Sequence, residues 1–140
     1  LFLHFLQTNE HKEAFLELAH VVANADGFVN RREKEYLRTY LGEMDMHSSK
    51  LQAIKARPLA DIIGGLKDEP IKNIFFAEIL LLIFADGDYN DEEKQIVRDM
   101  QQLFGFSDET YESFKNWVIR VDQLKVEGMK LILNPTQLKQ

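Results

Sequence analysis

Apolar residues recur along this chain at spacings of three and four, and no window shows a sustained alternating pattern, so helices are expected throughout. Near the start, Phe15, Leu18, Ala19, Val22 and Ala25 share one helical face, with Thr8 or Asn9 available as the N-cap. Tyr36, Leu37, Tyr40, Leu41 and Met44 form the stripe of the next helix. Ser48 or Ser49 opens a short helix carrying Leu51 and Ile54. Pro58 suits the first turn of another, whose Leu59, Ile62 and Ile63 stop at Gly64-Gly65. Beyond Asp68 and Pro70, the run from Ile71 to Ala85 is apolar nearly all round, as befits a central, buried helix. Ile96, Val97, Met100, Leu103 and Phe104 make a further stripe, which Gly105 ends. Ser107, Asp108 and Glu109 start a long last helix that reaches about Leu133 before Asn134-Pro135, and Gly128 is expected to bend or split it.

The pattern repeats. Ala25-Asp26-Gly27-Phe28-Val29-Asn30-Arg31-Arg32-Glu33-Lys34 returns 60 positions later as Ala85-Asp86-Gly87-Asp88-Tyr89-Asn90-Asp91-Glu92-Glu93-Lys94. The offset holds beyond the loops, at Met44/Phe104, Met46/Phe106, Leu51/Tyr111 and Ile54/Phe114. The expected architecture is therefore all-α: a single bundle of about seven helices over residues 1–140, made of two pseudo-twofold-related units. The units span about 9–64 and 68–124, and the last helix runs to about 133. A solenoid usually needs three copies or more.

Most of the repeated loop is accounted for by helix ends. Gly27 and Gly87 sit where a helix terminates in a left-handed residue. Asn30 and Asn90 are N-caps, with Glu33 and Glu93 three residues later as in a capping box. Asp26 and Asp86 fit this scheme less well, because an anion at a helix C-terminus opposes the macrodipole. Two compensations remain open: amides of the following helix, or a cation. In the first loop Arg31, Arg32, Lys34 and Arg38 outnumber the acids, whereas the second carries Asp86, Asp88, Asp91, Glu92 and Glu93 before its first lysine. Hard cations such as Ca²⁺ and Mg²⁺ need several converging oxygens. The candidate ligands are accordingly Asp86, Asp88, Asn90 and Glu93, with Asp26 and Glu33 as a weaker first site and Glu78 as an additional donor. An EF-hand is excluded, since the glycine stands second in the loop and Val97 occupies the closing position.

Composition narrows the functions. A net charge of −6 disfavours both nucleic acid and anionic membrane surfaces as partners. No cysteine is present, which removes disulfides and thiolate chemistry together. Leu1 to Leu6 lacks the basic flank and the length of a signal peptide, and the missing initiator methionine is expected of a trimmed chain. The run ending at Ala85 is interrupted by Glu78 and is shorter than the roughly 20 residues of a membrane span. His4, His11, His20 and His47 lack metalloprotease spacing, and no phosphate loop or nucleophile elbow occurs. Trp117, among Phe114, Val118 and Val121, reads as core. Leu1–Leu6 and Met129–Leu133 are expected to pack on each other and close the bundle. Left uncovered, either would suit a partner helix or a homodimer.

Two Ala-Asp-Gly turns, each followed by a capped Glu-Lys helix and joined by a helical spacer, resemble the TerB-like family over about residues 9–133. That family groups tellurite-resistance proteins of the TerB type with the N-terminal domain of membrane-anchored DnaJ-like co-chaperones. The resemblance implies an all-α fold with internal pseudo-symmetry. It also implies a role in bacterial stress response or envelope-associated complexes, with acidic residues binding divalent cations. The matching positions are Asp26, Gly27, Asn30 and Glu33, then Asp86, Gly87, Asn90 and Glu93. The basic residues after Asp26 depart from a doubly acidic pattern, and no DnaJ signature follows. The expected function is a non-enzymatic, cation-responsive binding module, cytoplasmic or membrane-associated through partners. The alternatives are a purely structural protein–protein interaction domain, and a hydrolase using Asp86 and Glu93 with a bound metal.

Overall fold

The computed structural model describes residues 1–24, 31–47, 54, 57–84 and 91–133, with residues 31–34 as helical backbone only. Among the described residues a 3-10 turn at Leu3–Phe5 precedes six α-helices: α1 (Asn9–Ala23), α2 (Arg31–Glu43), α3 (Leu59–Gly64), α4 (Glu69–Ile83), α5 (Asp91–Phe104) and α6 (Asp108–Leu133). No strand occurs among the described residues. The protein is all-α. The additional short helix expected near Leu51 falls outside the described residues.

Local chemistry explains most of the boundaries. Thr8 caps α1, its hydroxyl accepting from the His11 amide at 3.2 Å. Pro70 occupies the first turn of α4, where a missing N–H costs nothing. Ser107 caps α6 by accepting from the Thr110 amide at 3.1 Å. The ends of α2 and α5 are built alike. Met46 N–H reaches back to Leu41 C=O at 2.8 Å, and Phe106 N–H to Gln101 C=O at 3.0 Å. The inner bonds correspond too, from Asp45 to Gly42 and from Gly105 to Gln102. Each closure requires a left-handed residue, supplied by Asp45 (φ 56°) in one place and Gly105 (φ 77°) in the other. These residues lie 60 positions apart, as do the bounds of α1 and α4.

Helix α4 is the axis of the core, packing on α1, α5 and α6, while α2 and α3 also cover α1. Its consecutive phenylalanines point to different neighbours, because adjacent helical residues are turned by about 100°. Phe75 meets Phe15 edge-on with centroids 5.3 Å apart, and Phe15 meets Tyr40 at 5.1 Å. Phe76 stands edge-on to Phe104, Phe106, Tyr111 and Phe114, at 5.1–6.3 Å. Such pairs contribute roughly 0.5–1.5 kcal/mol each beyond their burial.

Two expectations are corrected. Helix α6 runs unbroken through Gly128, since one glycine lowers propensity by about 1 kcal/mol without breaking the ladder of its neighbours. The terminal apolar stretches do not close the bundle together. Leu3 and Leu6 are buried, whereas Met129, Leu131, Ile132 and Leu133 are 53–80% exposed. At 26 residues α6 is about 39 Å long, more than the bundle beneath it covers. Trp117 is half-buried and packs on Phe2, with centroids 5.8 Å apart.

Candidate functional site

Most of the proposed cation ligands lie outside the described residues: Asp26, Asp86, Asp88, Asn90 and the side chain of Glu33. Glu93 is half-buried in the first turn of α5 and already takes part in an interaction. Among the described residues, no three His, Asp or Glu side chains stand close enough to hold a metal ion. His20, on the last turn of α1, has its Nε2 3.1 Å from Asn24 Nδ2.

Glu78 is 2% exposed in the middle of α4, where the apolar run gives it no partner of its own. Its Oε1 accepts from the Phe2 amide at 2.6 Å and from the Leu1 nitrogen at 2.7 Å. The same nitrogen lies 3.3 Å from Glu43 Oε1, so the N-terminal segment brings two carboxylates of different helices together. Glu43 Oε2 is buried with no hydrogen-bond partner among the described residues. Burial pushes the Tyr40 hydroxyl far above its usual pKa, and the negative charge of Glu78 adds to this, followed by Tyr36 and Glu43. What this arrangement does chemically is fix the N-terminal segment onto α4 and keep Tyr40 neutral.

A second buried acid, Glu17, did not stand out among Phe15, Leu16, Leu18 and Ala19. Arg57 donates from Nε to its Oε2 at 2.6 Å. The pair borders a cleft of about 350 Å³ between α1 and α3, rimmed by Glu10 and Glu13 and floored by Ile62 and Leu66. The apolar stretch around Glu17 was the available signal, because a carboxylate inside a buried face requires a cation or hydrogen-bond donors. Its partner, 40 residues away, was not legible.

Among the described residues, the exposed apolar side chains gather mainly on α6. Along α6 the residues Phe114, Trp117, Val121, Leu124, Gly128 and Leu131 follow one another at intervals of 3, 4, 3, 4 and 3, which places them in one seam. The first two are half-buried and line a second cleft of about 370 Å³, closed on its other side by Phe2 and Ala77. The seam then continues past the bundle, where Leu124 is 64% and Leu131 53% exposed. No described helix is long and apolar enough to cross a membrane. What these elements define is an all-helical protein with one covered end and one bare helical arm. Comparison with known protein families, with characterised proteins and with solved structures finds no match to this chain.

Proposed function

We propose that this chain is a non-enzymatic protein-binding module whose docking element is the bare half of α6. The observation that carries this is the exposure of Leu124, Leu131 and Ile132 on one side of a continuous helix. A contiguous apolar patch of this kind is characteristic of an interaction surface. The two clefts fit the same reading, since the apolar one is a continuation of the seam and the acidic one has its buried carboxylate already neutralised by Arg57.

Photo-cross-linking tests it. With a benzophenone amino acid in place of Leu131, irradiation is expected to give a discrete cross-linked species, with the purified chain or in a lysate of the source cells. Leu124→Glu with Ile132→Glu should abolish it, while the same probe at Gln123, on the polar face, should give none. No adduct at 131 under either condition would overturn the proposal.

The TerB-like resemblance supports a cation-responsive version of this module, with a weak Ca²⁺ or Mg²⁺ site at Asp86, Asp88, Asn90 and Glu93. The matching bounds of α1 and α4, and the matching closures at Asp45 and Gly105, support two related helical units. Titration calorimetry with Ca²⁺, Mg²⁺ and Zn²⁺ is expected to show binding that Asp86→Asn removes. Equal absence of heat for both proteins at millimolar metal would exclude the cation.

A further inference from the structure

The partner that best fits the α6 seam is another copy of the same seam. We infer that two chains associate through α6 as an antiparallel pair, which rests on the docking role of α6 and names its occupant. In a two-stranded antiparallel packing, each a position of one helix lies opposite a d position of the other. With Phe114, Val121 and Gly128 as a, and Trp117, Leu124 and Leu131 as d, the full-length match pairs Val121 with Leu124, Phe114 with Leu131 and Trp117 with Gly128. Each pairing occurs twice by symmetry. The bare arm of each copy thereby lies along the cleft beside Phe114 and Trp117 of the other.

Two independent features agree with this register, and a third with α6 as the contact. The first is size. Gly128 is the sole glycine of α6, and a Cβ built there meets nothing within 4 Å, so packing within the chain does not require it. A mid-helix glycine nevertheless lowers helix stability. Opposite Trp117, the largest side chain of the seam, a glycine gives the indole room to lie against the partner backbone. The second is charge. Arg120 and Glu127, both exposed, occupy successive g positions, which face each other across an antiparallel pair. The register sets Arg120 against Glu127 on both sides of the two-fold axis, near the middle of the overlap. A parallel pairing of two identical seams would instead stack Gly128 on Gly128 and Trp117 on Trp117. The third is continuity, since the seam passes without interruption from the cleft to the uncovered arm.

The test is sedimentation equilibrium of the full chain, followed over a range of concentrations. Wild type is expected to show a monomer–dimer equilibrium. Leu124→Glu and Gly128→Leu should each weaken it by at least about 100-fold, each introducing its defect at two symmetric places. Val126→Glu, an equal change of polarity on the opposite face of α6, should leave it intact. Arg120→Glu should weaken the dimer about 3- to 10-fold, and adding Glu127→Arg should restore it. Circular dichroism of each variant confirms that the helices persist. Because the chain has no cysteine, a mixture of Val121→Cys and Leu124→Cys proteins reports the direction. Heterodisulfides should exceed homodisulfides. A chain monomeric at every concentration, or Val126→Glu as damaging as Leu124→Glu, or dominant homodisulfides, would overturn the inference. A monomeric chain whose position-131 probe still captures another protein would leave the docking role of α6 standing.

Discussion

Leu1–Leu6 and Met129–Leu133 are both dense apolar stretches, yet one is folded into the core and the other stands in solvent. Leu3 and Leu6 are 0% and 2% exposed, against 80% and 69% for Ile132 and Leu133. The difference is the presence of a polar anchor. The N-terminal segment is tied by the Phe2 amide to Glu78, a carboxylate that the core could not otherwise accommodate. The α6 arm is a regular helix whose backbone bonds are satisfied within itself, so nothing obliges it to dock. Hydrophobicity supplies the tendency to bury, and a directional contact decides which surface is buried within the chain.

The sharpest way to break this comparison is truncation at either end. Leu3→Ala should lower unfolding free energy by about 2–5 kcal/mol, the range for emptying a packed site. Ile132→Ala should stay within about 0.5 kcal/mol. Denaturant titration at low protein concentration measures both, and equal losses would remove the distinction. Next comes the anchor: Glu78→Ala should cost about 1.5–3 kcal/mol, the worth of a hydrogen bond to a charged group. Its signature is faster amide exchange at Phe2 and Leu3, with α6 unaffected.

The alkaline limb of stability probes the same end. Tyr40, beneath the anchor, has its pKa raised in the folded protein by burial and by Glu78. A raised folded value means its contribution is complete below the unfolded pKa of about 10 and is lost as pH rises beyond it. The resulting slope is up to about 1.4 kcal/mol per pH unit. Tyr40→Phe should flatten it, and an unchanged slope above pH 10 would remove Tyr40 as its source. The smallest effect belongs to the bare arm. Gly128→Ala, with open space around its Cβ, should stabilise the dilute chain by no more than about 1 kcal/mol in thermal unfolding.

Helix ends were the most legible part of the fold, because their chemistry is local. Thr8, Ser107 and Gly105 act where the spacing of Ser, Thr and Gly relative to the apolar stripes places them. Asp45 was not legible as the partner of Gly105, since an aspartate adopts left-handed backbone less often than glycine and carries no comparable signal. The centrality of α4 followed from its apolar circumference. What covers each apolar stripe did not follow, because a stripe identifies a face and says nothing of its neighbour. Glu78 illustrates the gap. It was recognised as an anomaly in the apolar run, but its partner lies 76 residues away in sequence. The repeated aspartates at positions 26 and 86, the strongest chemical signal in the chain, fall outside the described residues.

The neighbouring phenylalanines of α4 have a consequence for how the protein comes apart. Phe75 belongs to the aromatic cluster of Phe15 and Tyr40, and Phe76 to that of Phe104, Phe106 and Phe114, at adjacent positions of one backbone. Duplicated sequences often behave as beads that melt one by one. Here the two aromatic clusters share a spine, and loosening either withdraws the support of the other. The chain should therefore lose the amide protection of its core helices in a single concerted opening, with α4 exchanging together with the helices it joins.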